Sequence, residues 1–216
     1  MKIDASDISK IDAYKLLCGS VVPRPIAWIT TIGENNKVNL SPFSCFSFVG
    51  KEPPKIMFCI SKQKPGVNNE EYKDTERNIR ATQEFVVHIP SVEHAVAVDI
   101  SGDTFARDVS EVEILNLETV PSDIVKVPRL ANVGVSMECV LSDMATFSGS
   151  DRMLMIIGEV KMWHIRDDVW VDDKIDTEKL NPLMRLGGPF YAGPGEIISV
   201  PPRGDLSHRP FTGKYS

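Results

Sequence analysis

The sequence predicts a mainly β protein, built as a mostly antiparallel barrel. Three observations carry that expectation. About six to eight runs rich in β-branched and aromatic residues follow one another along the chain. Turns separate them rather than long helices. Only one helix start is clear, with one or two short helices besides. Consecutive strands joined by hairpins favour an antiparallel barrel over a doubly wound parallel sheet. No Gly/Ser linker, low-complexity tract or internal repeat divides the 216 residues. Residues 1–216 are therefore expected to form one domain, with 167–216 a loop-rich C-terminal arm wrapping a surface or a partner subunit.

The elements follow in order. The first ten residues are polar and read as a loop. Ser20 to Thr31 reads SVVPRPIAWITT. Pro23 and Pro25 cannot donate ladder hydrogen bonds, so they belong at the strand's start or edge, with Ile26 to Ile32 as its regular part. Gly33 to Asn36 is a turn and Val38 opens a second strand, completing a hairpin. Ser41 to Val49 alternates, with Ser44, Phe46 and Phe48 on one face and Phe43, Cys45, Ser47 and Val49 on the other. Pro53-Pro54 ends that run. Ile56 to Ile60 is apolar at every position, as in a strand buried on both faces. Residues 61–73 are polar and read as a loop. Asp74 or Thr75 then caps a helix to about Gln83.

Phe85 to Ile89 is a strand, and Ser91 to Ile100 reads as a short capped helix. Residues 101–131 give no resolvable pattern. Val133 to Leu141 and Met153 to Ile165 are strands, with Gly158 marking a bulge or bend in the second.

Composition narrows the function. The formal net charge of -6 argues against general nucleic-acid binding, which draws on Lys and Arg to neutralise phosphates. A local basic pocket for a small phosphorylated ligand stays open. Cys18, Cys45, Cys59 and Cys139 form no C-x-x-C pair and read as buried thiols in a reducing compartment. The N-terminus has no apolar signal core, and no run approaches the ~20 apolar residues of a membrane span. A cytoplasmic protein without a membrane role is expected. G-x-G-x-x-G, P-loop, H-E-x-x-H and G-x-S-x-G patterns are absent, and His88, His94, His164 and His208 form no ligand-like pair, so no metal site is expected.

Four segments can carry binding chemistry. Lys73-Asp74-Thr75-Glu76-Arg77-Asn78 puts a lysine, a hydroxyl and free backbone N–H groups at a helix N-terminus, which is an anion site. The same residues also fit a plain capped surface helix. Ser41-Pro42-Phe43-Ser44 offers hydroxyls and backbone groups beside aromatic surface, as a planar polar ring requires; an ordinary inter-strand turn explains it equally. Arg24, between two prolines, can hold an anion or a ring oxygen, while Trp28 fits either the site or the core. In Arg185 to Tyr191, RLGGPFY, the glycines permit close backbone approach and Tyr191 can cover a ring; a chain reversal also accounts for them.

In this order, VVPRPIAWITT, NLSPFSCFSFV, PPKIMFCIS, KDTERNI, EFVVHI and RLGGPFY resemble the flavin reductase-like family of FMN-binding split barrels. The resemblance covers roughly residues 15–200. It implies a six-stranded antiparallel split barrel of Greek-key type with a few short helices. It also implies a homodimer with FMN near the interface. Ser41, Pro42, Phe43 and Ser44 correspond to the loop that contacts the flavin ring, with Ile60 and Ser61 beside it. Lys73, Asp74, Thr75 and Asn78 fall where the phosphate is bound, and Arg24 and Thr30 on the strand flanking the flavin. The implied activity is an NAD(P)H-dependent flavin reductase, with NADH or NADPH as co-substrate and hydride transfer to flavin N5. The electron acceptor would be a small molecule or a protein. The alternative is a flavoredoxin-type FMN electron carrier without a nicotinamide site. Two features depart from the family pattern: the long 62–72 loop and the tail after Pro201. Flavin carries the redox chemistry itself, which accounts for the lack of an obvious acid–base pair or nucleophile.

Overall fold

The computed structural model describes residues 1–34, 36–61, 72–147 and 153–199. Seven strands make its main sheet: β1 (Ala27–Ile32), β2 (Val38–Phe43), β3 (Phe46–Lys51), β4 (Pro54–Ser61), β5 (Glu84–Ile89), β6 (Val135–Thr146) and β7 (Met153–Ile165). They are hydrogen-bonded in the order β2-β1-β5-β6-β7-β4-β3, and every pair is antiparallel. The two edge strands, β2 and β3, are consecutive in the chain with only Ser44 and Cys45 between them. The sheet therefore has to curl until its edges meet, which makes it a split barrel. Its interior is one cluster drawn from all seven strands, including Ala27, Phe43, Phe58, Phe85, Cys139 and Ile156, with Phe46 packed against it. The Phe43 and Phe58 rings lie 5.1 Å apart.

The seventh strand has a local cause. The run from 38 to 51 does not keep one alternation. It bends at Ser44-Cys45, so Phe43 and Phe46 both reach the barrel interior. The single alternating strand expected there is corrected to two. The expectation that β4 is buried on both faces is corrected as well: Ile56, Phe58 and Ile60 are buried, while Met57 and Cys59 are only half-buried.

Helix α1 (Lys10–Ser20) precedes the barrel and was not anticipated. Ser9 caps it, its hydroxyl accepting from the Asp12 N–H at 3.1 Å. Helix α2 (Asp74–Thr82) covers one end of the barrel, with Ile79 entering the interior cluster and Asn78 donating to the Thr31 hydroxyl at 3.0 Å. Its N-cap is Lys73, which makes no side-chain cap bond; Asp74 and Thr75 lie inside the first turn. The outer faces of β1 and β2 are covered by α3 (Ala95–Ile100) and α4 (Glu111–Ile114), through Trp28, Leu40, Val98 and Val112. Trp28 is fully buried there and donates to the Ser101 hydroxyl at 2.9 Å. His88 is fixed in one neutral form, with Nδ1 on the Trp28 carbonyl at 2.9 Å and Nε2 accepting from the Leu130 N–H at 2.9 Å. Burial lowers its pKa to about 4.

Glu138 organises the 121–128 segment against the sheet. Its carboxylate accepts the N–H groups of Asp123, Ile124 and Val125 at 2.7–2.9 Å and faces His164 Nε2 at 2.5 Å. Burial pushes this carboxyl up, but those donors outweigh it and hold it at about 2. Ligand atoms of Asp123, Glu138 and His164 lie within 4.8 Å of one another. Four donors already occupy Glu138, so the cluster is a hydrogen-bonded staple for this loop.

The C-terminal segment folds back onto the barrel. Leu183 N–H donates to the Pro90 carbonyl at 2.8 Å, and Arg24–Pro25 pairs with Met184–Arg185. The expected loop at 61–73 lies mostly outside the described residues, as does the tail after Ser199. Among the described residues no helix is long and apolar enough to cross a membrane.

Candidate functional site

A groove runs along β2, between the start of α2 and the segment from Asp99 to Glu111. Strand alternation sends Asn39 and Ser41 toward α2, while Leu40 turns to the outer layer. Three cavities follow one another along this line. The first, about 430 Å³, is lined by Arg24, Pro42, Ser44, Asp99, Arg185 and Tyr191 among others. It shares Gly102 and Asp103 with a second of about 60 Å³, which is lined by Ser41, Lys73, Asp74, Thr75 and Glu111. Asn39 and Asp74 join that one to a third, also about 430 Å³, reached by Arg77, Asn78 and Arg107. Cavities of this size suit a drug-sized ligand. Gly102 sits at the first junction; a Cβ there would lie 3.1 Å from the Asp99 carbonyl oxygen and 3.4 Å from Pro42 Cγ. Its missing side chain leaves the passage open.

The polar groups divide by place. At the α2 end, Lys73 Nζ donates to the Ser61 hydroxyl at 3.0 Å, tying the end of β4 to the helix start. Thr75 is buried, its hydroxyl accepting from Asn39 Nδ2 at 3.1 Å. Asp74 is ion-paired with Arg77. Burial raises the Asp74 carboxyl, against the pull of Arg107. With no side-chain cap from Lys73, the first-turn N–H groups of α2 keep the donor character of a helix start. These groups suit a phosphate.

At the other end, the Arg24 guanidinium donates to Cys18 Sγ at 3.3 Å and to the Leu186 carbonyl at 2.9 Å. Its buried Nε has no hydrogen-bond partner. Tyr191 donates to Asp99 at 2.8 Å, and the Arg185 guanidinium lies 4.4 Å over its ring. Burial first, then the Asp99 hydrogen bond, push this phenol up to about 12. Pro42, Ser44 and Ile26 complete a partly apolar wall that suits a flat heterocycle.

Of the residues singled out from sequence, Arg24, Ser41, Pro42, Ser44, Lys73, Asp74, Thr75, Asn78 and Tyr191 line this run of cavities. Ser61 joins through Lys73. Phe43 and Ile60 do not: both side chains point into the barrel core. Thr30 does not line these cavities either. It lies on the outer face of β1, fully buried, with its hydroxyl on the Pro128 carbonyl at 2.8 Å. Sequence reading missed Asn39, Gly102, Asp103 and Glu111. Glu111 accepts the Leu40 N–H at 2.9 Å. Burial raises its carboxyl to about 7, with that N–H opposing and the Asp74 charge adding. Asn39 carried a usable signal, standing two residues before Ser41 on the same strand face. The others lie in the stretch where no pattern resolved.

The fold is a split barrel, with a helix start and a partly apolar wall lining one groove. The flavin reductase like domain family matches residues 19–180, and the chain belongs to that family. An uncharacterized protein of Halalkalibacterium halodurans is 36% identical over 203 residues, 93% of this chain and 95% of its own length. Nitrilotriacetate monooxygenase component B from Bacillus cereus is 32% identical, with a TM-score of 0.86 over 93% of this chain and 98% of that one. The 2-nitrobenzoate 2-nitroreductase NbaA of Pseudomonas fluorescens is 27% identical, with a TM-score of 0.82 over 95% and 98%. The family places the protein among flavin-related oxidoreductases.

Proposed function

We propose that the groove holds FMN and that the protein is an NAD(P)H-dependent, flavin reductase-like oxidoreductase of the cytoplasm. One observation carries the reading: four segments far apart in sequence, at Arg24, Ser41–Ser44, Lys73–Thr75 and Tyr191, line adjoining cavities. FMN supplies the hydride- and electron-accepting ring. Lys73, Thr75 and the α2 N–H groups bind its phosphate. Ser41, Ser44 and Arg24 orient the ring edge, and Tyr191 shields it from water. The residues present fit that group, because the α2 N-terminus with Lys73 and Thr75 and a partly apolar wall match the two ends of FMN. NADH or NADPH would supply the hydride, and a small molecule or a protein would accept the electrons.

A homodimer belongs to this reading. Ile11, Tyr14, Leu17 and Val21, on and just after α1, are exposed, and so is Phe190. Gly187, in the turn that carries Phe190, packs against the α1 backbone, a Cβ there meeting the Cys18 carbonyl oxygen at 3.4 Å. Tyr14 also lines the groove. An apolar patch at a groove mouth marks a protein contact, here with a second copy.

The test is spectroscopic. Purified protein loaded with FMN should show a bound-flavin absorbance that bleaches on anaerobic addition of NADH or NADPH. A bound flavin that dithionite reduces but neither nucleotide does would replace the reductase with an electron carrier. No FMN binding at all would end the proposal.

A further inference from the structure

Cys45 and Cys59 face each other across the β3–β4 ladder. The register pairs Phe46 with Phe58. One step beyond, the Cys59 N–H donates to the Cys45 carbonyl at 3.0 Å. Directly opposed residues of an antiparallel pair have Cα atoms about 4.5–5.5 Å apart and side chains on one face. A disulfide takes Cα separations of about 4.4–6.8 Å. Phe46 and Phe58 pack inward, so alternation turns both cysteines to the outer surface. Cys45 is exposed and Cys59 half-buried, whereas Cys18 and Cys139 are buried. The expectation of four buried thiols fails at these two positions.

We propose that Cys45 and Cys59 form a modification site: a cross-strand thiol pair that a low-molecular-weight disulfide oxidises reversibly to a disulfide. Cys45, the accessible thiol, loses its proton and attacks one sulfur of the oxidant. The oxidant's S–S bond breaks, and its other sulfur leaves as a thiolate that takes up a proton. Cys59 then loses its proton and attacks the Cys45 sulfur of the mixed disulfide, expelling the second thiolate, which is protonated in turn. Two protein thiols give up two electrons and two protons, and the oxidant becomes two thiols. Burial and the neighbouring Cys45 raise the Cys59 thiol, consistent with Cys59 as the second, resolving group. The product bolts the Ser44-Cys45 bend to β4. Ser44 lines the groove, so the modification restrains one wall of it.

Incubation of the full-length protein with oxidised glutathione, followed by alkylation, trypsin digestion and non-reducing mass spectrometry, tests this. The expected product links the peptides spanning 38–51 and 56–62, two hydrogens lighter than their sum, and disappears on reduction. In the Cys59→Ser variant Cys45 should stop as a mixed disulfide with glutathione. Separate glutathione adducts on the two cysteines without the cross-link, or both thiols unmodified, would overturn the proposal. So would an unmodified Cys45 in Cys59→Ser protein. These outcomes do not depend on whether FMN binds.

Discussion

At the scale of single residues, two groups in the groove make separable predictions. Lys73 was singled out from the sequence because a lysine and a hydroxyl at a helix N-terminus suit an anion without tertiary information. Lys73→Ala should weaken FMN binding by about ten-fold to a hundred-fold, the worth of one hydrogen bond to a charged group. Titration of the apoprotein with FMN measures it, and unchanged affinity would remove the helix start from the site. Glu111 was not legible, because its burial arises only when α4 packs on β2. Ser110 donates to the Val38 carbonyl at 2.6 Å and holds Glu111 against Leu40 N–H. With its folded pKa raised to about 7, Glu111 contributes stability that is present below its unfolded value near 4.3 and lost as pH rises through 7. Glu111→Gln keeps an oxygen for the Leu40 N–H but cannot ionise. Above pH 8 the variant should be more stable than the parent by roughly 3–4 kcal/mol, and near pH 4 the two should converge. Urea melts of apoprotein across that range decide it; parallel pH profiles would mean Glu111 titrates normally.

At the scale of elements, local pattern worked where neighbours alone set the structure. The β1–β2 hairpin, β5, β7 and the span of α2 followed from periodicity and turn residues. Gly158 also met expectation. The β6–β7 register shifts between Ile157 and Gly158, leaving Ser142 as the extra residue opposite. The reason is steric: a Cβ on Gly158 would lie 2.3 Å from Phe85 Cζ, and Phe85 is fully buried. Gly158→Ala should therefore destabilise the fold by about 1–3 kcal/mol through overpacking. Combining it with Phe85→Leu should recover part of that loss; a thermal melt showing additive losses would count against the contact. Pattern failed at α1 because that helix has no buried stripe to generate one. Its only buried residue is Cys18, and the available signal was Ser9 three residues before Asp12. It failed at 38–51 because alternation persists in letters through a bend that swaps the faces.

At the scale of the whole molecule, the exposed apolar patch makes the remaining prediction. Tyr14, Leu17 and Phe190 are 68%, 64% and 65% exposed in the single chain. Light scattering should find a dimer, and Leu17→Asp with Phe190→Asp should convert it to a folded monomer. A parent protein that is monomeric at micromolar concentration would reject the second copy as the patch's cover. The described part of the arm, residues 167–199, turns back on the chain's own barrel, placing Tyr191 at the groove beside Asp99.

By itself the sequence determined the strand-rich character and the hairpin order, and it singled out the four segments proposed to hold a phosphorylated ring compound. Those depend on local periodicity, proline and glycine placement, and the chemistry of a helix start. Only the tertiary structure decided which of those residues share a groove. It sent Phe43 and Ile60 inward and Thr30 outward, and it brought Gly102 and Glu111 in from a stretch without pattern. Which way a side chain faces on a closed barrel depends on bends and register shifts between strands distant in sequence, and no local window of residues contains them.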